Sequence, residues 1–346
     1  MLHPVILCGG AGERLWPASR PHRPKPFLTL VGDETTFQSA LRRAAALPGA
    51  EPVTIVAGRP HERRVREALT RRDALMILEP AGRDTAAAMT AAALVIGARD
   101  PEAVLVFLPS DHFVPDTAAF TRHATAMADH ARAGWIALLG LRPTCPSPAY
   151  GYLLPELGAP SPRRVARFIE KPEADRAAQL IADGCLWNAG VFAARADTLL
   201  REMARHAPDV VDAVQEAVRR RSQVASVILL DRAFEEAPAL SFDIAVLEKT
   251  DRAVVEAGAL VWSDLGAWDA ILAASERDHD GNSAEGHVVL QAASNCLVRA
   301  AEGMTVAVVG ARNLAVIVEQ DAVMVCDLES GHQVRAAIDR VSAGGR

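Results

Sequence analysis

Residues 5–31 read VILCGGAGERLWPASRPHRPKPFLTLV, and this stretch decides the fold. It opens on an apolar run, Pro4 to Leu7, of the length expected for a buried parallel strand. A loop almost without side chains follows at 9–12, where glycine allows positive φ and lets backbone N–H groups approach an anion. Arg14 and Lys25 come next, among prolines that predict a stiff extended loop rather than a helix. Together these features predict a polyphosphate site.

Two familiar phosphate-binding motifs do not fit this loop. The P-loop needs glycine, four residues and then Gly-Lys-Ser/Thr, which the stretch lacks. The dinucleotide fingerprint needs a third glycine at the position of Leu15. A plain glycine-rich turn with scattered surface cations is the alternative that a short motif leaves open.

The composition is that of a globular protein with room for more than one domain. The chain has 346 residues, of which 50% are apolar and 23% are charged. Its net charge of −6 argues against sequence-independent binding to nucleic acid. A cationic pocket can still exist inside an acidic protein.

The cysteines and the apolar runs indicate a cytoplasmic location and no membrane association. The five cysteines are far apart and form no C-x-x-C, so we expect reduced thiols. The N-terminus enters a strand directly, which predicts no signal peptide. No run of about 18 apolar residues suggests a membrane span.

Strands and helices alternate through the first 140 residues. We predict strands at 4–7, 53–57, 75–78, 103–108 and 135–141, and helices at 35–47, 62–72, 85–98 and 117–133. This pattern predicts an α/β fold with a doubly wound, mostly parallel, Rossmann-like sheet. Ligands of such sheets bind beyond the carboxyl ends of the strands, where Glu79, Asp111 and the glycine loop would converge.

The rest of the chain changes character twice. Residues 149–281 alternate less regularly, with strands predicted at 164–169, 191–193 and 254–262 and helices at 173–182, 196–206, 210–220 and 242–249. Short apolar runs then recur at 287–290, 296–298, 305–309, 315–318 and 323–326, before a helix at 333–341. Even spacing of this kind favours a β-solenoid or a small β-sandwich, with a role in packing or dimerisation.

The string GGAGERLWPASRPHRPKPF resembles the signature of the sugar-1-phosphate nucleotidylyltransferases, and its Leu-Trp-Pro variant is similar to the mannose-1-phosphate guanylyltransferase branch. Further segments resemble the family's motifs and occur in its order: EPAGRDTAAA (79–88), PSDH (109–112), YGY (150–152), FIEKP (168–172), WNAG (187–190), SFDIAVLEKT (241–250) and WSDLG (262–266). The resemblance therefore covers essentially the whole chain. It implies GTP and mannose 1-phosphate as substrates and Mg²⁺ as the cofactor.

The resemblance also implies roles for individual residues. The catalytic residues would be Arg14 and Lys25, on the leaving pyrophosphate, and Lys171, on the sugar phosphate. The nucleotide would contact Gly9, Gly10, Gly12, Glu79, Arg83, Asp84 and Thr85. The sugar would contact Gly151, Glu170, Asn188 and Asp243. Asp111 and Asp264 would hold the metal, because Mg²⁺ prefers hard oxygen ligands.

Several of these residues have a structural alternative. Asp111 and Asp264 are also typical turn residues or helix caps. Lys171 and Glu170 could be a solvated pair before a proline turn. Asp84 stands where the family usually carries Asn, so its carboxylate would either accept hydrogen bonds from guanine or only cap the next helix.

The expected organisation is a catalytic domain at 1–281, with a nucleotide half at about 1–145 and a sugar half at about 146–281. A C-terminal β domain at 282–346 would be similar to the family's short left-handed β-helix, and the family also implies a homodimer. Since the chain ends at Arg346, we expect no phosphomannose isomerase activity. The alternatives are the same chemistry on another sugar 1-phosphate or nucleotide, and a silent nucleotide-sugar sensor.

Overall fold

The computed structural model describes residues 1–10, 12–70, 73–156, 158 and 162–344, which pack as two compact units. The sheet unit comprises Met1–Gly9, Ala40–Ser110 and Val114–Val261. The loop unit comprises Gly10–Ser39, Asp111–Phe113 and Trp262–Arg346. From Gly10 onward, the stretch predicted to bind phosphate therefore belongs to the same unit as the C-terminal strands.

One mixed sheet forms the core of the sheet unit. Its strands are β1 (Leu2–Cys8), β2 (Val53–Gly58), β3 (Ala74–Glu79), β4 (Val104–Pro109), β5 (Ile136–Leu141), β6 (Tyr152–Pro155), β7 (Arg163–Ile169), β8 (Leu186–Arg195), β9 (Ser222–Val224), β10 (Val227–Leu229) and β11 (Ala253–Gly258). Their order is β5-β11-β7-β6-β8-β4-β1-β2-β3-β10-β9. The α/β class is confirmed.

Parallel pairing is concentrated in the strands that the opening pattern predicts. β1 lies between β2 and β4, with Val5 opposite Thr54 and Phe107. Val5 and Phe107 are fully buried, as expected for a strand covered on both faces. β3 and β10 continue the parallel set beyond β2.

The other half of the sheet is largely antiparallel where a mostly parallel sheet was expected, although β11 pairs in parallel with β5. β8 runs antiparallel to β4, β5 and β6, and β7 runs antiparallel to β6 and β11. β8 is also longer than the predicted 191–193. Asn188 and Gly190 interrupt its apolar run, yet the backbone of Asn188 still pairs with Gly140 after an irregularity in the register.

The helices agree closely with the sequence pattern. They are α1 (Thr36–Ala45), α2 (Glu62–Leu69), α3 (Asp84–Gly97), α4 (Thr117–Arg132), α5 (Ala174–Ala182), α6 (Ala196–His206), α7 (Pro208–Arg219), α8 (Trp268–Ala274) and α9 (Val334–Gly344). Thr35 and Gln38 form a capping box at the start of α1. The Gln38 amide donates to Thr35 Oγ1 at 3.1 Å, and the Thr35 amide donates to Gln38 Oε1 at 2.9 Å. Within the described part of the chain, no helix combines the length and apolar character that crossing a membrane requires.

Some elements escaped the sequence pattern. The helix predicted at 242–249 is a π-helical turn, Asp243–Leu247. β11 ends at Gly258 rather than continuing to 262. The short strands β6, β9 and β10 and the helix α8 were not predicted, because three to seven residues carry too little periodicity to be recognised.

The C-terminal strands stack as a solenoid. They are β12 (Ser283–Glu285), β13 (His287–Gln291), β14 (Leu297–Arg299), β15 (Thr305–Val309), β16 (Leu314–Val318) and β17 (Val323–Asp327). β12, β14 and β16 pair in parallel with β17 antiparallel at the edge, and β13 pairs in parallel with β15 in a second sheet. Strands that alternate between two sheets and stack in parallel confirm the solenoid rather than the sandwich.

Side chains one coil apart stack on each other along this solenoid. Asn295 Nδ2 donates to Asn313 Oδ1 at 2.7 Å across a separation of 18 residues. Both asparagines have positive φ, which this residue type tolerates better than most. His287 Nδ1 and Thr305 Oγ1, also 18 residues apart, lie 2.7 Å from each other.

The tight turn between β12 and β13 requires glycine at position 286. The φ of Gly286 is +84°, and a Cβ there would collide with the carbonyl oxygen of Ala300. We expect Gly286→Ala to lower the free energy of unfolding by roughly 3 kcal/mol, from left-handed strain plus overpacking. Urea denaturation measures this difference.

Gly303→Ala is the matched control, because Gly303 has φ +81° but open space around its Cβ position. Strain alone should cost it about 1 kcal/mol. Equal losses in the two variants would contradict the proposed clash with Ala300.

Candidate active site

A cavity of about 440 Å³ in the loop unit brings together most of the predicted phosphate and metal residues. Its lining consists of Gly12, Glu13, Arg14, Lys25, Asp111, Asp264, Gly266 and Arg335. Five of these were predicted from the sequence, whereas Glu13, Gly266 and Arg335 were missed. A cavity lined by cations, carboxylates and glycines suits a phosphorylated ligand.

The two predicted cations lie in short 3₁₀ turns rather than in an extended loop. Arg14 is in the turn Glu13–Leu15, which Leu15 anchors in the apolar core of the loop unit. Lys25 begins the turn Lys25–Phe27, with Pro26 at its second position. The prolines exclude a long helix, but the opening residues of a single turn need no intrahelical N–H bond.

Lys25 is the central charge of this cavity. Its side chain is almost fully buried, and its Nζ donates to Asp111 Oδ2 at 2.7 Å and to the backbone carbonyl of Asp264. Burial by itself would raise the pKa of the Asp111 carboxyl, but the charges of Lys25 and His112 outweigh it and hold that pKa below its usual value. Asp111 therefore carries a negative charge at neutral pH.

Gly12 has to be glycine for Lys25 to lie where it does. Its φ is +64°, and a Cβ at this position would overlap the Cβ of Lys25. Its carbonyl accepts a hydrogen bond from Ser19 Oγ at 2.7 Å. Gly9 and Gly10 follow β1 directly and are exposed, Ala11 lies outside the described residues, and neither Gly9 nor Gly10 lines the cavity.

Asp111 and Asp264 fit a divalent cation by their chemistry. Both carboxylates line the same cavity, and Gly266 N donates to Asp264 Oδ1 at 3.1 Å. Within the described ranges, no group of three or more His, Cys, Asp or Glu side chains could hold a metal on its own. Mg²⁺ suits two protein carboxylates, since it completes its shell with water and substrate phosphates.

The stretch predicted to bind phosphate contacts the C-terminal solenoid within the loop unit. Arg20 and Arg23 form ion pairs with Asp321 at 3.2 Å and with Glu319 at 2.8 Å. Arg299 donates to the backbone carbonyls of Thr29 and Leu30, at 2.7 and 3.2 Å. The solenoid therefore packs against the stretch that carries Arg14 and Lys25.

The predicted sugar residues form a separate cluster in the sheet unit. Asn188 Nδ2 donates to Asp243 Oδ1 at 2.8 Å, and the Asn188 amide donates to the carbonyl of Gly151 at 2.8 Å. Glu170 Oε1 accepts from Lys171 Nζ at 2.6 Å. A Cβ on Gly151 would lie 2.8 Å from Glu170 Oε2, so glycine leaves room for that carboxylate.

Two of these residues have unusual local properties. Burial, and then the neighbouring charge of Glu170, raise the pKa of Asp243 to about 7. Lys171 has φ +44° and an exposed side chain, so the strained backbone presents its ammonium to solvent beside Glu170.

The predicted base-reading residues lie at the end of β3 and the start of α3. Arg83 donates from its guanidinium to the carbonyl of Glu235, at 2.8 Å from Nε. Asp84 is the first residue of α3 rather than its N-cap; its φ is +62°, and its carboxylate accepts from Thr85 N at 2.7 Å. Thr85 Oγ1 accepts from the amide of Phe242 at 2.8 Å, which ties this segment to the residue before Asp243.

Glu79 ends β3 with a buried carboxyl. Among the described residues its Oε1 has no hydrogen-bond partner, and burial raises its pKa to about 8. A buried carboxyl oxygen without a hydrogen-bond partner is costly to keep in a folded chain, which makes Glu79 a candidate for binding a ligand.

A larger cavity in the sheet unit holds none of the predicted residues. It has a volume of about 820 Å³ and opens near the first residues of β1, β2 and β3, with His3, Thr54 and Leu75 in its lining. By volume alone, this cavity would be the preferred candidate for the ligand-binding site. Arginines and carboxylates, among them Arg66, Arg99 and Asp100, also line this larger cavity, but among the described residues its lining includes no glycine and none of the motif residues, which line the smaller one.

The titration of Glu79 gives a stability prediction. Its folded-state pKa of about 8 exceeds the ordinary 4.5, so the protonated group stabilises the fold below pH 4.5 and that contribution is lost as pH rises through 8. Relative to Glu79→Gln, the wild-type free energy of unfolding should fall by roughly 3 to 5 kcal/mol over this range. Urea titrations at several pH values measure it.

The exposed Glu276 supplies a control for this measurement, as Glu276→Gln should leave the pH dependence of unfolding unchanged. If the wild type and the Glu79→Gln variant gave parallel curves from pH 5 to 8.5, the raised pKa would be refuted.

Comparison with known proteins gives two family matches along the chain. The nucleotidyl transferase model matches residues 3–281, and the MannoseP isomerase/GMP-like beta-helix domain matches residues 286–341. The chain is 35% identical over 348 residues to a mannose-1-phosphate guanylyltransferase of Escherichia coli, covering 98% of this chain and 74% of that protein. It is 35% identical over 354 residues to alginate biosynthesis protein AlgA of Pseudomonas putida, covering 100% and 73%.

A solved structure agrees over the whole length. A protein from Thermus thermophilus, described as a mannose-1-phosphate geranyltransferase, superposes with a TM-score of 0.86 at 32% identity, covering 99% of each chain. The fold of this protein is thus one that a known structure shares from end to end.

Proposed function

The chain belongs to the nucleotidyl transferase family, and from that membership we propose that it is a mannose-1-phosphate guanylyltransferase. The reaction converts α-D-mannose 1-phosphate and GTP into GDP-mannose and diphosphate. The observation that carries the proposal is the cavity where Arg14, Lys25, Asp111 and Asp264 meet.

The chemistry is an in-line attack of a sugar phosphate oxygen on the α-phosphorus of GTP, without a covalent enzyme intermediate. Catalysis then rests on positioning and on neutralising charge. Arg14 binds the departing pyrophosphate, while Lys25 holds Asp111 in place and adds positive charge. A metal held by Asp111 and Asp264 would supply further positive charge to the phosphate oxygens.

Binding of the sugar and the base falls to the sheet unit in this proposal. Lys171 pairs with the sugar phosphate as an exposed point charge, while Glu170, Asn188, Asp243 and the backbone of Gly151 bind hydroxyl groups. Glu79, Arg83, Asp84 and Thr85 bind the base, and Gly9, Gly10 and Gly12 lie along the triphosphate. The support for these roles is the local geometry described above together with the family motifs.

The test is pyrophosphate release with Mg²⁺, with GTP, ATP, UTP and CTP each offered to mannose 1-phosphate and glucose 1-phosphate. We expect activity with GTP and mannose 1-phosphate alone, and a loss of at least about a hundredfold in Asp264→Asn, because a metal carboxylate is removed. The variant should retain the wild-type unfolding midpoint within a few degrees.

The other outcomes separate the alternatives. Activity with another pair would move the substrate assignment and would point at Asp84, where the family usually carries Asn. No activity with any pair would refute the enzyme and favour a nucleotide-sugar sensor.

Asp243 predicts how sugar binding depends on pH. With a pKa of about 7 its carboxyl is largely protonated at pH 6 and ionised at pH 8, and only the ionised form accepts fully from sugar hydroxyls. The KM for mannose 1-phosphate should therefore fall severalfold between pH 6 and 8, beyond any change that the substrate's own phosphate causes. Initial-rate kinetics at saturating GTP measure it.

In the Asp243→Asn variant, KM should change with pH only as far as the substrate's own phosphate causes, and it should be higher than the wild-type KM at every pH. Asp175→Asn, on the exposed surface of α5, should follow the wild type. The same pH profile in the Asp243→Asn variant and the wild type would contradict a role for this carboxylate.

The organisation of the chain extends the proposal. We assign the catalytic domain to 1–281 and the β domain to 282–346, with the β domain supporting the phosphate-binding stretch. The homodimer and the cytoplasmic location stay predictions.

A further inference from the structure

One residue of the 440 Å³ cavity comes from the C-terminal helix. Arg335 lies on the first turn of α9 and faces the same space as Arg14 and Lys25. Its neighbour Val334 is buried in the apolar cluster that also holds Leu15, and Ile338, one turn further on, packs against that cluster. α9 is thereby anchored beside the turn that carries Arg14, so the backbone of Arg335 is held at the cavity wall while its side chain can move.

The partner of Arg335 is a carboxylate that an anion can displace. Arg335 Nε lies 3.1 Å from Glu13 Oε2, and both side chains are more than half exposed. Exposed pairs of this kind contribute little stability. Glu13 also lines the cavity, so its negative charge lies in the space that a phosphate group would occupy.

Lys25 is paired within the cavity, so the guanidinium groups of Arg14 and Arg335 are the cations best placed to bind a ligand. Lys25 is already bonded to Asp111 and to the Asp264 carbonyl, which together occupy most of its donors. Among the described residues Arg14 has no ion-pair partner, and Arg335 has only the exposed Glu13. A guanidinium binds two phosphate oxygens at once in a fixed fork, whereas a lysine acts as a point charge.

We propose that Arg335 is a phosphate-binding residue of this site, and that Glu13 holds its guanidinium until the ligand arrives. When the β- and γ-phosphates or free pyrophosphate bind, Arg335 leaves Glu13 and pairs with phosphate oxygens opposite Arg14. The inference rests on the proposed function in taking this cavity as the polyphosphate site. It assigns the C-terminal helix a direct part in binding.

The experiment is direct binding of pyrophosphate to the full chain in MgCl₂, followed by isothermal titration calorimetry. Arg335→Ala should weaken binding about tenfold or more, since a charge-assisted bidentate contact is lost, and Arg335→Lys should recover part of it. Glu13→Gln should tighten binding, by about twofold to fivefold, because a competing carboxylate is removed. Arg340→Ala, exposed on the same helix but outside the cavity lining, should bind as the wild type does.

The opposite effects of the two variants separate a binding role from a structural one. If the Glu13–Arg335 pair only braced α9, Glu13→Gln and Arg335→Ala would weaken binding alike, and that result overturns the inference. Unchanged affinity in Arg335→Ala also overturns it.

Arg14→Ala distinguishes the inference from the function on which it rests. Binding lost in Arg14→Ala but intact in Arg335→Ala leaves the phosphate site standing without Arg335. Wild-type chain that binds no pyrophosphate at all refutes both.

Discussion

The buried ammonium of Lys25 is the interaction on which the loop unit depends. A charge in that position destabilises the fold unless it is paired and hydrogen-bonded, and here Asp111 and the carbonyl of Asp264 supply those partners. The lysine and its two partners come from three distant parts of the chain, so burying one lysine fixes three segments against each other. The same packing leaves no room for a side chain at Gly12. Charge pairing, more than apolar packing, therefore shapes the cavity.

The buried carboxyl groups differ in pKa according to how strongly a nearby cation offsets their burial. Asp111 is held ionised by Lys25, which suits a group that binds positive charge. No cation outweighs burial at Glu79 or Asp243; burial raises the pKa of Glu79 to about 8, and burial and then the charge of Glu170 raise that of Asp243 to about 7 despite Lys171. Such groups gain most from a ligand that donates hydrogen bonds, which matches the base and the sugar assigned to them. The environment thus gives chemically similar side chains different pKa values.

The C-terminal solenoid directly contacts the stretch that carries Arg14 and Lys25, so it is more than a separate appendage. Arg299 reaches back to the carbonyls of Thr29 and Leu30, and acidic residues near β17 pair with Arg20 and Arg23. Val334 packs with Leu15 in one apolar cluster. Most of these contacts are polar. They join segments that lie far apart in the chain, and neither segment's sequence predicts the contact. Through them the solenoid packs against the stretch that carries Arg14 and Lys25.

The sequence by itself determined the α/β class, the parallel strands around β1 and the evenly spaced C-terminal strands, because hydrophobic period and turn chemistry are local properties. The family motifs singled out Arg14, Lys25, Asp111 and Asp264 before any geometry was known. Only the tertiary structure decided that Lys25 is bonded to Asp111, that half of the sheet is antiparallel and that Arg335 completes the cavity. These features depend on which distant segments meet, and neither hydrophobic period nor local propensity carries that information. The sequence around Arg335 resembles any solvated helix surface, and only the packing of Val334 in the cluster of Leu15 places this arginine beside Arg14.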